Sequence, residues 1–306
     1  MQNHSTMTMR STPNWPKCGN NVWPGTPTPT PAAGLMAVEK LDERTARKLK
    51  HGYYASVSYV DACFGKLMKG LRALELDKDT IVVVWGDHGW KLGEHGSWCK
   101  QTNYAIDNKV PLLVYAPGMS TQGRTCKRLT EYAPGMSTQG RTCKRLTELV
   151  DLYPTLCDLA GVEIPTELEG TSFAPLLEDP EQQWKKAAFC HYVQRPKVTL
   201  DNKWYIGYSM TTERYHYVQW HDWDNESELA GKQVAVELYD HQVDPDENVN
   251  IAGRRNHAAR IRQMARQLKA GWVAARPSCC SPASIETDST LAQKFPGNKL
   301  CTDRNW

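Results

Sequence analysis

The 306-residue sequence has no run of 18 apolar residues, which excludes a conventional membrane-spanning helix. Its first thirty residues, MQNHSTMTMRSTPNWPKCGNNVWPGTPTPT, lack the apolar centre that a secretory signal requires. The cytoplasm is therefore the default compartment. The ten cysteines include no CxxC pair, so a zinc site of the usual cysteine spacing is not expected. No disulfide framework is readable either, and Cys63, Cys157 and Cys190, which sit in apolar stretches, are expected as small core residues. The net charge of +3 is too small to define a partner, although residues 251–306 hold ten Lys and Arg against three Asp and Glu. Arg260, Arg262, Arg266 and Lys269 fall within an expected helix, 257–275, and Arg254 and Arg255 lie just before it, with no aromatic or glycine interleaved among the charges. That pattern reads as a solvated helix face, not a nucleic-acid surface.

The composition, 40% hydrophobic and 23% charged, is that of an ordinary globular protein long enough for a sizeable core. Residues 1–34 are rich in Pro, Thr, Asn and Gly and are expected to be a disordered lead. Tyr53, Val57, Val60, Phe64, Leu67, Leu71 and Leu74 then recur at three-and-four spacing, which predicts a long helix with one apolar stripe. A strand over 81–85, a second over 109–115 and a helix over 149–160 ending at Gly161 complete an α/β portion, residues 35–185. Runs at 187–193, 204–209, 214–220 and 237–240 predict a small antiparallel subdomain over 186–275, closed by the basic helix. Residues 276–306 are expected to be a disordered tail. Between the second strand of the α/β portion and the helix over 149–160, YAPGMSTQGRTCKRLTE at 115–131 recurs letter for letter at 132–148. A solenoid unit is longer and needs more copies. The duplication therefore reads as a loop lengthened by 17 residues, with one copy structurally idle.

Residues 80–100, TIVVVWGDHGWKLGEHGSWCK, carry most of the chemistry. An apolar run, Ile81 to Trp85, breaks into Gly86-Asp87-His88-Gly89. The run predicts a strand buried on both faces, as in a parallel sheet, and ligand sites lie beyond the carboxyl ends of such strands. Asp87 and His88 are thus placed where a site belongs, on a backbone that Gly86 and Gly89 leave free to turn. Glu94 and His95 in the second Gly-Glu-His-Gly read either as a turn or as catalytic groups. Trp85, Trp90 and Trp98 are expected to wall the site, or to stack on a sugar. His191, at the end of a β run, is either a structural histidine or a pocket residue.

GDHGWKLGEHGSWCK, VPLLVYAPGM, ELVDLYPTLCDLAG, LEGTSFAPLL, GYSMTTERYHYVQW and ELYDHQVDPDENVNIA occur in the order found in sulfatases. They resemble the iduronate-2-sulfatase subgroup of the alkaline-phosphatase-like superfamily over residues 51–252. The resemblance implies a partial mixed α/β sheet flanked by helices, followed by the antiparallel subdomain. It also implies a calcium-dependent hydrolase of sulfate esters on small molecules or sugars, with Asp87 and His88 as metal ligands and Lys100 on the sulfate; His191, from its place in the β run alone, is a lesser candidate for the substrate. A hard cation and a lysine suit that task, since both oppose the charge of the sulfate oxygens. The family's nucleophile, a cysteine in Cys-x-Pro/Ala-Ser-Arg, has no counterpart; Cys280-Ser-Pro-Ala-Ser284 lacks the arginine and lies at the wrong end. The early Asp-Asp metal pair is also absent. The chain therefore reads as the C-terminal part of a sulfatase. A phosphatase or phosphodiesterase of the same superfamily and a non-catalytic binding remnant are the rival readings. Neither a membrane nor a nucleic acid is an expected partner, and the oligomeric state is left open.

Overall fold

The computed structural model describes residues 41–117, 142–196, 199 and 201–277. The lead over 1–34, all but the first two residues of the tail, and the middle of the duplicated segment lie outside them. Helix α1 spans Glu43–Ala73. Asp42 caps it by accepting hydrogen bonds from the Thr45 backbone N–H at 2.9 Å and hydroxyl at 2.6 Å. The chain leaves the helix through Leu74 and turns at Glu75, whose φ of 56° is left-handed. The predicted helix is present, but its stripe is not a core face. Val57, Val60, Leu67 and Leu74 are between 48% and 70% exposed, and Met68 is the one buried residue of α1.

Strand β1, Val82–Trp85, pairs antiparallel with β4, Leu112–Tyr115, from Val82 opposite Tyr115 to Trp85 opposite Leu112. The expectation of a parallel strand buried on both faces is corrected here. Among the described residues the pair forms a two-stranded antiparallel sheet, and Trp85 is 51% exposed. One face is covered: Leu112 and Val114 pack against Phe173, Leu176 and Trp184, while Leu113 on the other face is exposed. Phe173, Leu176 and Trp184 come from α4, Ala174–Glu178, and the chain around it. Helix α3, Leu152–Leu159, precedes it and stops at Gly161 with a left-handed φ of 66°. Lys185 ties this region together by pairing with Glu148 and Asp151, both at 2.7 Å.

Strands β5 (Ala188–Gln194), β6 (Tyr205–Thr211), β7 (Tyr215–Asp224) and β8 (Leu229–Asp240) form an antiparallel meander in chain order. Alternation along the strands splits the sheet into two faces. One face, with Met210, Tyr217 and Leu238, packs on Met264 and Leu268 of α5, Ala258–Ala275. Fully burying one such side chain contributes roughly 1.5–3 kcal/mol, which seats α5 despite its basic outer side, where Arg262, Arg266 and Lys269 are exposed. The other face carries Gly207, Trp220, Glu237 and Tyr239 and meets the segment that follows Lys100. Cys63 and Cys190 are exposed and Cys157 is half-buried, so the cysteines are not core residues. Desolvation still raises the Cys190 thiol pKa, because its Sγ turns onto Asn108. No helix among the described residues is long and apolar enough to cross a membrane.

The duplication is used at its two ends. β4 runs into the start of the first copy, and the end of the second copy holds the next segment in place. There the Cys143 Sγ–H donates to the Pro180 carbonyl at 3.4 Å, and Glu148 forms a capping box with Asp151. Deleting residues 118–134 restores a single copy with both ends intact. Shortening this connection is expected to change stability by no more than about 1 kcal/mol. Urea unfolding of the deletion variant checks this, and a much larger loss would show that the extra copy packs.

Candidate functional site

The site is built on the turn that leaves β1. Gly86 N–H donates to the Pro111 carbonyl at 3.2 Å and Gly89 N–H to the Asp107 carbonyl at 2.7 Å. Neither glycine has a positive φ, so the freedom to turn is not the reason for glycine here. At position 89 the reason is close approach, since a Cβ would lie 1.7 Å from the Ile106 carbonyl oxygen.

Asp87 is 81% exposed at its side chain, and its Oδ1 accepts the His88 backbone N–H at 3.0 Å. His88 is more enclosed. Its Nδ1 lies 2.8 Å from the Gly89 carbonyl oxygen, which can only accept, so Nδ1 carries the proton. That fixes the tautomer and leaves Nε2 with a lone pair. Nε2 faces Asp87 Oδ2 at 3.1 Å and also contacts Lys100 Nζ. The three residues singled out from the sequence therefore converge on one point. Trp90 stacks on His88 at 6.1 Å and on Tyr53 of α1 at 6.1 Å, walling one side as expected.

Lys100 reaches His88 through strained backbone. Strands β2 (Lys91–Leu92) and β3 (Trp98–Cys99) make a short hairpin. Cys99 and Gln101, on either side of Lys100, have left-handed φ values of 70° and 83°. Each such residue costs on the order of 1–3 kcal/mol and persists only where its surroundings hold it. A buried network does so. Lys91 is fully buried, pairs with Asp107 of α2 (Ala105–Asn108), and donates to Thr102 Oγ1 at 3.2 Å. Asp107 Oδ2 also accepts the Thr102 N–H at 2.9 Å and hydroxyl at 2.6 Å. Desolvation lowers the Lys91 pKa, and the Asp107 carboxylate opposes that shift.

Glu94 closes its own turn by accepting the Leu92 N–H, and His95 stacks on Tyr104 with ring centroids 3.8 Å apart. Burial lowers the His95 pKa. Glu94 is engaged within the hairpin, as the turn reading has it, and His95 packs outward onto Tyr104 at the start of α2. His191 pairs across the sheet with Tyr208, on the face that looks toward α5, whereas its neighbour Cys190 faces the Lys100 side through Asn108. The structure thus brings Asp87, His88 and Lys100 together and leaves His191 on the opposite face of the sheet. Lys91 and Asp107 were not legible as site supports. A lysine one residue past Trp90 signals burial only when its partner is known.

A divalent cation fits this cluster as two ligands of a larger set. The His88 Nδ1–H bonded to a backbone carbonyl is the usual outer arrangement of a ligating imidazole, and the Lys100 ammonium that now contacts Nε2 must swing aside for a cation to take that lone pair. Calcium takes six to eight oxygens. Among the described residues no third His, Cys, Asp or Glu joins Asp87 and His88.

The sulfatase family model matches residues 2–162, and the model of the C-terminal region of N-sulphoglucosamine sulphohydrolase matches residues 129–273. Human iduronate 2-sulfatase is 32% identical over 242 residues, which cover 67% of this chain and 44% of that protein. BT4656, solved in complex with its substrate D-glucosamine-2-N,6-O-disulfate, is similar with a TM-score of 0.52 and 27% identity, covering 67% of this chain and 36% of that one. The phosphonate monoester hydrolase of Agrobacterium radiobacter is similar with a TM-score of 0.54 and 25% identity, covering 71% and 40%. The chain spans less than half the length of each of these relatives. With the sulfatase model matching more than half of its residues and the fold of its solved relatives shared, this chain belongs to the sulfatase family.

Proposed function

We propose that this chain supplies the metal-and-sulfate grip of a hydrolase of sulfate esters on sugars, of the iduronate-2-sulfatase kind. The observation that carries the reading is the fixed tautomer of His88, whose Nε2 lone pair faces Asp87 Oδ2 and Lys100 Nζ together. Asp87 and His88 hold the divalent cation, calcium by family, and Lys100 binds a sulfate oxygen. When bound, the cation neutralises the ester's charge and stabilises the charge that develops on cleavage. The chain's own part is to aim these groups, with the Lys91–Asp107 pair holding the loop of Lys100. A sulfated sugar as substrate is supported by the disulfated glucosamine bound to the structural relative.

The sequence holds no Cys-x-Pro/Ala-Ser-Arg motif, so the polypeptide alone is expected to give no substantial turnover of an aryl sulfate. Robust turnover by the purified 306-residue chain would overturn this. Binding tests the rest. Calcium alone should bind weakly, and glucosamine 6-sulfate should bind only with calcium present. Lys100→Ala should lose about 2 kcal/mol of sulfated-sugar binding, the worth of a charge-assisted hydrogen bond. Calorimetry that shows equal binding in Lys100→Ala and the parent chain would remove Lys100 from the site. The likeness to a phosphonate hydrolase favours one second reading, a phosphonate or phosphate ester as ligand. Competition between phenyl phosphonate and glucosamine 6-sulfate for the calcium-loaded chain separates the two.

A further inference from the structure

A second cluster of ligating side chains lies away from Asp87 and His88. His216 sits in β7 on the face opposite α5, His241 follows the end of β8, and Glu247 lies in the turn begun by Asp244. His216 Nδ1 is 2.6 Å and His241 Nε2 is 2.7 Å from the same oxygen, Glu247 Oε1. The other carboxylate oxygen is occupied, accepting the Ala105 backbone N–H at 2.8 Å. One nitrogen from each of two imidazoles and one carboxylate oxygen therefore face each other from three separate segments, within 4.8 Å of one another.

We propose that His216, His241 and Glu247 form a structural site for a divalent transition metal of the zinc class, distinct from the cation site at Asp87 and His88. Four observations support it. His216 and Glu247 are buried and His241 is half-buried, so the donors are shielded while one side remains reachable. Two imidazoles and one carboxylate are a donor set that zinc takes, whereas calcium wants oxygen alone. Glu247 is held in place beforehand, in a left-handed backbone conformation with φ of 57° and by the Ala105 N–H. Finally, His216 Nε2 has no hydrogen-bond partner among the described residues, so no second bond opposes the small ring turn that ligation needs. On binding, each imidazole carries its proton on its other nitrogen and offers a lone pair to the metal, while Glu247 Oε1 exchanges two N–H donors for the cation. Through Ala105 the metal fastens α2, and with it the Lys91–Asp107 pair, to the C-terminal sheet.

The test uses the full chain, stripped with a chelator and dialysed, with zinc and cobalt(II) as the probes. One zinc per chain should bind and raise Tm by about 5 °C or more at saturating metal. Cobalt(II) should give the intense visible bands of four-coordinate geometry with nitrogen ligands, a readout that needs no variant. His241→Gln, a half-buried position, should lose the zinc-dependent Tm rise, while Asp87→Ala should keep it. Failure to bind zinc, a weak six-coordinate cobalt spectrum, or a Tm rise kept in His241→Gln and lost in Asp87→Ala would each overturn the proposal. None of these outcomes depends on sulfate binding, so the site stands or falls apart from the proposed function.

Discussion

Asp107→Ala should destabilise the protein by about 3–5 kcal/mol, the cost of stripping a buried ion of its partner. The Lys91 ammonium is wholly removed from solvent, and Thr102 Oγ1 at 3.2 Å is its one other hydrogen-bond acceptor among the described residues. Without the carboxylate, the ammonium must either stay charged in a low-dielectric pocket or give up its proton, and both are costly. The backbone suffers as well, since Asp107 Oδ2 also accepts from the Thr102 N–H and hydroxyl. Against a typical total of about 5–15 kcal/mol, this leaves the fold marginal. A second variant gives the argument its edge. Lys91→Met combined with Asp107→Ala removes both charges, and should recover a large part of the loss because apolar replacements of buried pairs are often neutral. Urea unfolding of the four proteins closes the cycle. A single variant that costs under about 1 kcal/mol, or a double variant worse than the sum of the two, would refute the buried-pair account.

The antiparallel subdomain was legible because its strands alternate and are separated by turn residues, as at Asn225-Glu-Ser-Glu between β7 and β8. The convergence of Asp87, His88 and Lys100 was legible through family resemblance, while their geometry was not, because it depends on two left-handed residues that no propensity favours. The apolar run at Ile81 to Trp85 predicted a strand and found one. Its burial was misread, because burial belongs to neighbouring strands and only β4 accompanies it among the described residues. The stripe on α1 failed for the same reason: periodicity identifies which residues share a face, but not whether anything packs on that face. The His216–His241–Glu247 cluster was illegible in principle. Its members are a mid-strand residue, a post-strand residue and a turn residue, and only the register of β7 on β8, with His216 opposite Tyr239, sets them side by side.

That same dependence on close approach makes Gly89→Ala the most damaging substitution expected at the site itself. A methyl group there would overlap the Ile106 carbonyl oxygen at 1.7 Å and crowd the carbonyl carbon at 2.7 Å. Backbone atoms cannot rotate aside as a side chain does, so α2 must move or the turn after β1 must open. Either movement breaks the Gly89 N–H bond to the Asp107 carbonyl, held at 2.7 Å. It also shifts the Gly89 carbonyl that fixes the His88 tautomer. The loss should reach about 3 kcal/mol, of the size seen when a core is overpacked. More telling is where the loss falls. Native-state hydrogen exchange should show faster exchange at residues 86–108, whereas amides of β6 and β7 that exchange only on global unfolding should speed up merely in proportion to the lost stability. Gly86→Ala provides the contrast, because its added methyl would sit at ordinary contact distance, 3.4 Å from side-chain carbons of Pro111 and Val110 and 3.5 Å from the His88 carbonyl oxygen. If Gly86→Ala and Gly89→Ala behave alike, close packing of α2 on the turn does not hold His88 in place. If they differ as described, the aim of His88 at Asp87 and Lys100 is set by a backbone-to-backbone contact that only glycine permits.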